Sequence, residues 1–267
     1  MTASLAPMVL VEPQGGGVVE VALNRTEALN ALSVALVGAL RKAVRSAYAL
    51  RPAAVVVTSR CDRAFSVGAD LKERSGMTPD DLIACRPDFI AAYRSLLELP
   101  VPVVAGIHGF AVGGGLELAL TCDLIVADST AVVGLPEVRI GLIPGGGGTQ
   151  LLGRRTGWGP AADLVLTGRR VLADEAFRLG IVDRVVPEGE ARAHALELAT
   201  AIAASSPTSL VWAKRALREG WSQPLDAALA IEDGLWRRAA TSQDRAEGIR
   251  AFVEKRPPVW ASAEESS

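Results

Sequence analysis

The chain has 267 residues, of which 49% are hydrophobic and 22% are charged, and its formal net charge is −2. This is an ordinary globular composition, and the length allows one large domain or two small ones. A charge so close to zero argues against a nucleic-acid-binding protein, which would concentrate Lys and Arg on one face to meet phosphates, so an anionic substrate must be met by a few local cations.

The first two thirds of the chain alternate strand and helix patterns. Apolar runs predict four strands, at residues 18–23, 53–59, 101–107 and 123–128. A helix is predicted over residues 33–50 with Ser33 as its N-cap, and another over residues 80–99 with a kink or break near Pro87. A glycine-rich segment before the fourth strand opens a short helix. This order of elements predicts an α/β fold.

The pattern changes after residue 180. A last short β element is predicted at residues 180–186, followed by helices at residues 190–204, 207–219, 224–240 and 243–255. The change predicts a core domain over residues 1–190 and a C-terminal helical region over residues 191–267. We expect the apolar faces of that region to pack on its own core or on neighbouring subunits, and its short polar tail to be mobile.

Cysteine and histidine content predicts the compartment and argues against a metal. Cys61, Cys85 and Cys122 are far apart and form no C-x-x-C pair, and only two histidines are present. We therefore expect a reducing compartment, buried or half-buried thiols and no metal site. The sequence has no signal-peptide pattern and no apolar run long enough to span a membrane, so we expect a cytoplasmic protein with no membrane partner.

Two common kinds of active site, a nucleophile activated by histidine and a glycine-rich phosphate-binding loop, fit the sequence poorly. His108 follows an apolar strand, which favours a packed or hydrogen-bonded imidazole, and His194 lies on a helix where a solvated side chain is expected. No G-x-S-x-G elbow is present. The glycine runs at 109–115 and 145–148 lack the spacing of a phosphate loop or of a dinucleotide fold, so each alone predicts only a turn.

Three segments nevertheless break local rules at a cost in stability, as functional sites often do. The first, residues 64–72, runs from a buried strand into a polar loop. The second, residues 113–117, places three glycines before a helix start, where backbone N–H groups can approach a ligand and the helix adds partial positive charge. The third, residues 135–145, puts a carboxylate, Glu137, in an apolar neighbourhood.

Two glutamates in these segments could carry chemistry. Glu117 lies one helical turn beyond Gly114, so its carboxylate can rise on the face that the Gly114 amide serves. A surface position is the alternative for Glu117, and for Glu137 taken alone it is the more natural interpretation. Two carboxylates in one apolar site can have their proton affinities pushed apart, which supplies one acid and one base near neutral pH.

The sequence resembles the crotonase superfamily, the enoyl-CoA hydratase/isomerase family, over nearly its whole length. The resemblance is carried by NRTEALNAL (24–32), AFSVGADLKE (64–73), GFAVGGGLELALTCDLIVA (109–127), LPEVRIGLIPGGGGTQLL (135–152), LTGRR (166–170), AFRLGIVDRVV (176–186) and AFVEKRPPVW (251–260). It implies a spiral of ββα repeats with a C-terminal helical trimerisation region. It also implies a homotrimer or a homohexamer built as a dimer of trimers.

The resemblance further implies a site for an acyl-CoA thioester. In that site the amides of Ala69 and Gly114 bind the thioester oxygen, Glu117 and Glu137 are catalytic, and the amide of Gly145 positions a water molecule. The residues implied to line the CoA and acyl pocket are Ala69, Asp70, Leu71, Lys72, Gly114, Trp236 and Lys255. Among these, Lys72 would lie near the nucleotide, Lys255 would reach a CoA phosphate and Trp236 would close the acyl pocket. No metal or redox cofactor is implied, because coenzyme A is part of the substrate.

The implied reaction is syn addition of water to the 2,3 double bond of a trans-2-enoyl-CoA. One glutamate takes a proton from the water as it attacks C3, and the other gives a proton to C2. Two glutamates favour hydration over isomerisation, because isomerases of the family often keep one acid. A carnitinyl-CoA dehydratase also keeps both, and a non-catalytic CoA-binding scaffold is the alternative from another class. Thr26 stands where many members have proline, which should alter loop rigidity but not chemistry.

Overall fold

The computed structural model describes residues 6–261, and the predicted polar tail lies outside the described residues. The strands of the described chain are β1 (Val9–Gly15), β2 (Val18–Leu23), β3 (Ala54–Ser59), β4 (Ala64–Ser66), β5 (Val103–Ile107), β6 (Phe110–Val112), β7 (Leu124–Asp128), β8 (Val132–Gly134), β9 (Arg170–Leu172) and β10 (Arg184–Val186). The helices are α1 (Val34–Ala49), α2 (Leu71–Arg74), α3 (Pro79–Leu97), α4 (Gly114–Leu120), α5 (Gly148–Thr156), α6 (Trp158–Thr167), α7 (Ala173–Arg178), α8 (Ala191–Ala203), α9 (Pro207–Gly220), α10 (Leu225–Ala240) and α11 (Gln243–Glu254).

The strands form two sheets, and strands that follow one another in the chain often belong to different sheets. The larger sheet has the order β1-β2-β3-β5-β7-β10 and the smaller sheet the order β4-β6-β8-β9. In the pairs β3/β4, β5/β6 and β7/β8 the first strand joins the larger sheet and the second joins the smaller one, and a helix follows each pair. This is a ββα repeat, and the crotonase-type α/β fold implied by the resemblance is therefore confirmed.

The larger sheet is covered on both faces because its central strands are almost wholly apolar. On β3, Val55 and Val57 face one side and Ala54 and Val56 face the other, as the two-residue period of a strand requires. The first face packs against α1, α3 and residues of the smaller sheet. The second face packs against buried alanines of α8, which are Ala195, Ala199 and Ala203.

Most of the predicted elements are present, with two corrections. The strand over residues 18–23 is confirmed, as is the first helix, in which Ser33 accepts a hydrogen bond from the Leu36 amide. The predicted break at Pro87 is wrong: α3 continues through it, since a capping box at Thr78 begins the helix and apolar residues beyond the proline pack into the core. The β element at 180–186 is confined to β10, because residues 180–183 form the turn after α7.

The C-terminal helices are tied to the sheet by ion pairs. Arg192 on α8 lies 2.6 Å from Glu20 on β2, and Lys214 on α9 lies 2.6 Å from Asp123. Beyond these contacts the helices expose several large apolar side chains, which are Leu217, Trp221, Leu225, Leu229, Trp236, Phe252 and Val253. Within residues 6–261 no helix is both long and apolar enough to cross a membrane. The division of the chain at residue 190 stays a prediction.

Candidate active site

The loop between β4 and α2 brings one backbone amide beside the start of α4. Leu32 and Ala69 form a parallel bridge in which the Leu32 amide donates to the Gly68 carbonyl and the Asp70 amide to the Leu32 carbonyl. That pattern leaves the Ala69 amide directed away from this bridge. A Cβ on Gly68, which has φ +82°, would lie 3.0 Å from the Gly114 nitrogen. The two segments implied to hold a thioester oxygen are therefore adjacent, and no described residue accepts from either amide.

Buried polar contacts hold this loop in place. Asp70 caps α2 by accepting from the amides of Lys72 and Glu73, and it lies 2.6 Å from Arg25. The hydrogen bond from Arg25 holds the pKa of Asp70 below its usual value, although burial works against it. Asn30 donates to the Phe65 carbonyl, 3.0 Å away. The Asp70 side chain thus has a structural use within the chain, beside its implied place in the pocket lining.

Helix α4 is fully buried and carries Glu117 into the interior. A Cβ on Gly115 would overlap the Ser66 carbonyl, so only glycine lets α4 approach β4 this closely. Glu117 is 3% exposed, which excludes the surface alternative. Its Oε1 accepts from the amides of Gly146 and Gly148 at 2.6 and 2.8 Å. The glycine run that predicted only a turn therefore holds a carboxylate.

Glu137 reaches the same place from a different segment. It begins the 3₁₀ helix Glu137–Ile140 after β8, and its Oε1 lies 2.9 Å from where a Cβ of Gly113 would be. Gly113 is also the N-cap of α4, and its carbonyl accepts from the Glu117 amide. Oε2 of Glu137 is buried with no partner among the described residues. A buried carboxyl oxygen without a hydrogen-bond partner costs stability. Because no described residue occupies it, Oε2 is available to accept a hydrogen bond from a ligand or to hold a proton.

The two carboxyl groups differ in how their proton affinities are set. Burial raises the pKa of Glu117, while the amides of Gly148, Gly146 and Gly145 oppose the rise. Burial also raises the pKa of Glu137, to about 7, and the neighbouring charge of Glu117 adds to the rise. Two neighbouring carboxyl groups whose pKa values are both raised, that of Glu137 to about 7, form the arrangement expected for an acid and a base working together.

Three residues near the pair were not anticipated from the sequence. Tyr93 on α3 is 7% exposed, and its hydroxyl donates to the Gly114 carbonyl at 3.2 Å. Burial holds the pKa of Tyr93 well above its usual value, so the phenol stays protonated. Arg86 donates to the Gly145 carbonyl at 2.8 Å, and Arg74 lies over the ring of Phe89. Tyr93 and Arg86 lie on α3 and Arg74 lies at the end of α2, and helical patterns in sequence give no sign of what an individual side chain meets.

The remaining residues of the implied site lie at the surface of the single chain. Leu71 and Lys72 are exposed on α2, immediately after the Ala69 amide. Trp236 is 66% exposed on α10, and Lys255 is exposed at the end of α11. In residues 6–261 no hydrogen bond or ion pair joins Trp236 or Lys255 to the two glutamates. Their roles in ligand binding, like that of the Gly145 amide, stay predictions.

The side chains set aside in the sequence lie where they were expected. Nε2 of His108 is 2.7 Å from the Cys61 carbonyl, and His194 is a half-buried residue of α8 beside two glutamates. Cys61 and Cys122 are buried, and Cys85 is half-buried. Across the part of the chain that the structure describes, no group of three or more His, Cys, Asp and Glu side chains could hold a metal ion.

Comparison with known proteins agrees with this geometry. The model of the enoyl-CoA hydratase/isomerase family matches residues 14–263. A putative enoyl-CoA hydratase/isomerase of Bacillus subtilis, YngF, is 41% identical over 90% of this chain and 93% of its own length. The mitochondrial methylglutaconyl-CoA hydratase of Homo sapiens is 37% identical over 94% of this chain and 75% of its own. A crystal structure of enoyl-CoA hydratase from Bacillus anthracis superposes with a TM-score of 0.91 at 37% identity, covering 95% of this chain and 98% of that one. The resemblance seen in the sequence is thus confirmed: the chain belongs to the enoyl-CoA hydratase/isomerase family of the crotonase superfamily.

Proposed function

We propose that this protein is an enoyl-CoA hydratase, which adds water across the 2,3 double bond of an enoyl-CoA thioester. The observation that carries the proposal is the pair of Glu117, which is buried, and Glu137, whose Oε2 is buried, beside two backbone amides that have no acceptor among the described residues. The names of the relatives support it, since several are called enoyl-CoA hydratase.

The environments of the two glutamates suggest a role for each. Glu117 is bonded to two amides, which stabilise its ionised form, so it acts as the base that takes a proton from water. Glu137 has a pKa of about 7 and an unpartnered Oε2, so near neutral pH it can hold a proton and deliver it. The pair thus supplies both proton transfers of a hydration without another acid or base.

The reaction proceeds with the thioester oxygen at the amides of Ala69 and Gly114. The water oxygen forms a bond to C3 while Glu117 accepts its proton, and the π electrons of the double bond move into the thioester as an enolate. The two amides stabilise the negative oxygen, each contributing about 3 kcal/mol, as single oxyanion donors do elsewhere. Glu137 then gives its proton to C2, which completes the hydroxyacyl thioester.

The direct test mixes the purified protein with crotonyl-CoA and follows the loss of its conjugated enoyl thioester. We expect hydration, with kcat/KM falling at low pH as Glu117 is protonated and falling again above about pH 7 as Glu137 loses its proton. Absence of turnover with a panel of enoyl-CoA chain lengths would refute the proposal.

The alternatives differ in what they require of the site. An isomerase needs one acid, and a CoA-binding scaffold has no use for two neighbouring carboxyl groups with buried oxygens, whose retention costs stability. A carnitinyl-CoA dehydratase acts on a chain that bears a trimethylammonium group, and Arg74 and Arg86 beside the pair disfavour such a cation. Assays with a 3-enoyl-CoA and with crotonobetainyl-CoA separate these activities from hydration of simple enoyl thioesters.

We further propose that the protein forms a homotrimer or a pair of trimers and uses neither a metal nor a redox cofactor. The exposed apolar side chains of α9, α10 and α11 support the assembly, since a face of that kind is stable only when covered. Trp236 and Lys255 would then act at a subunit boundary. Analytical ultracentrifugation tests the assembly. Retention of activity after dialysis against a metal chelator tests the proposal that no metal is used.

For location we propose the cytoplasm, on the ground of three free cysteines and no disulfide in the described chain. Four relatives carry the word mitochondrial in their names, so the organelle is the competing location. Fractionation of the source cells with detection of the native protein decides between them.

A further inference from the structure

One face of α3 forms a wall beside the candidate site. Arg86, Phe89 and Tyr93 are three and four residues apart, so they project from the same side of the helix. Tyr93 lies next to Glu117, because its ring and Glu117 Oε2 are both within 3 Å of where a Gly146 Cβ would be. Phe89 is buried and Arg86 is exposed. With 1.5 Å of rise per residue, Tyr93 and Arg86 are separated by about 10 Å along the axis.

A second arginine meets this face from α2. The guanidinium carbon of Arg74 lies 5.2 Å from the centre of the Phe89 ring, within the range of a cation–π contact. Helix α2 therefore starts next to the Ala69 amide and ends with a cation above the middle of the α3 wall. Arg74 acts on the pKa of Glu137 and Arg86 on that of Glu117, each opposing the larger rise caused by burial.

Neither arginine forms an ion pair with a carboxylate of the described chain, although each acts at longer range on one of the two glutamates. Arg86 donates to a carbonyl, and Arg74 stacks on an aromatic ring. Elsewhere, half-buried arginines such as Arg25, Arg192 and Arg218 form ion pairs with Asp or Glu. Two guanidinium groups without a carboxylate partner beside an acyl site offer N–H donors whose planar geometry suits a carboxylate of a ligand.

We propose that Arg74 and Arg86 bind a carboxylate on the acyl chain, so that the preferred substrates are short enoyl-CoA thioesters with an anionic end. This inference rests on the proposed hydratase function. With the thioester oxygen between Ala69 and Gly114, a chain that runs outward along Phe89 brings its far end to the two guanidinium groups. The same charges weaken binding of a chain with a cationic end.

The test compares two thioesters of equal length, glutaconyl-CoA with a terminal carboxylate and trans-2-pentenoyl-CoA without one. We expect the native protein to prefer glutaconyl-CoA in kcat/KM by about 10- to 100-fold, chiefly through a lower KM, as a charge-assisted pair would give. Arg74→Met should reduce that preference about tenfold, and Arg74→Lys should reduce it less, because it retains the charge. Arg45→Met removes the same charge from an exposed position on α1 and should leave the preference unchanged.

The possible outcomes separate this inference from the function on which it rests. Hydration of pentenoyl-CoA without any preference for glutaconyl-CoA overturns the inference and leaves the hydratase proposal intact. Failure to hydrate either thioester overturns the hydratase proposal. An equal loss on both substrates in Arg74→Met assigns Arg74 to the CoA portion or to folding and also overturns the inference. If Arg45→Met reduced the preference for glutaconyl-CoA as much as Arg74→Met does, the effect would not be specific to Arg74. That result would also overturn the inference.

Discussion

Two parts of the molecule bury a glutamate in opposite ways. Glu20, in the larger sheet, is fully buried, and Arg192 and Arg60 lie within ion-pair distance of it. Glu117, in α4, is nearly as buried, but backbone amides are its hydrogen-bond partners. Burial alone raises the pKa of Glu20, yet hydrogen bonds from Arg192 and Thr58 outweigh it and the net pKa is lowered. The net pKa of Glu117 is raised.

The difference separates a structural carboxylate from the one to which we propose a catalytic role. Partners that carry a full positive charge lower the pKa of Glu20, which favours its ionised form, and fasten α8 to the sheet. Amide dipoles hold Glu117 in position without neutralising it, so the cost of burial remains and its proton affinity stays adjustable. Burial alone therefore does not identify a functional glutamate, whereas the kind of partner does.

The largest expected effect comes from Glu117→Gln. Loss of the base should lower kcat about 10³-fold, within the range for a positioned general base, because the amide of glutamine cannot take a proton from water. Steady-state hydration of crotonyl-CoA measures the change. Calorimetric titration with butyryl-CoA should give a nearly unchanged Kd; unchanged kcat would contradict the role given to this residue.

Glu20→Gln is the matched substitution in the structural region. It leaves Arg192 and Arg60 with no carboxylate at that position, and we expect a loss of about 3 kcal/mol in the free energy of unfolding. The lower end of the usual range applies because Arg192 is 42% exposed and can be hydrated. Urea denaturation measures the loss. Activity per folded molecule should not change, and a fall comparable to that of Glu117→Gln would abolish the distinction between the two regions.

Gly146→Ala tests whether the amides that hold Glu117 matter. An added Cβ would lie 2.5 Å from the Tyr93 ring and 2.9 Å from Glu117 Oε2, so the loop must shift and the amide bonds weaken. We expect kcat/KM to fall about 100-fold. In the control, Gly153→Ala in α5, the nearest atom is 3.8 Å away, and activity should be retained. Equal activity in the two variants would exclude a role for this loop.

The smallest expected effect is a pH-dependent gain in stability from Glu137→Gln. The pKa of Glu137 is about 7 in the folded protein against a usual value of 4.5, so its favourable contribution is complete below pH 4.5 and is lost as the pH rises through 7. Removing the ionisable group should stabilise the fold by on the order of 1 kcal/mol at pH 8, after allowance for solvent screening, and by less at pH 5. Thermal unfolding at both pH values measures this. Glu188→Gln, at an exposed position, should show no such difference.

Much of the secondary structure could be predicted from local patterns. The strand at residues 18–23, the helix capped by Ser33 and the four C-terminal helices follow from periodicity and caps, which depend on neighbouring residues. The strands of the smaller sheet were missed because each has three residues, too few to show a period. α3 persisted through Pro87 because tertiary packing outweighed one missing hydrogen bond.

The sequence by itself determined the family, the two glutamates as candidates and the amide-bearing loops around Ala69 and Gly114, because motif spacing and glycine placement are local properties. The tertiary structure alone decided that Glu117 is buried, that Gly146 and Gly148 hold it, and that Tyr93, Arg74 and Arg86 stand beside it. These groups come from separate helices and loops, and their proximity depends on how the two sheets and their helices pack. Local sequence carries no record of that packing.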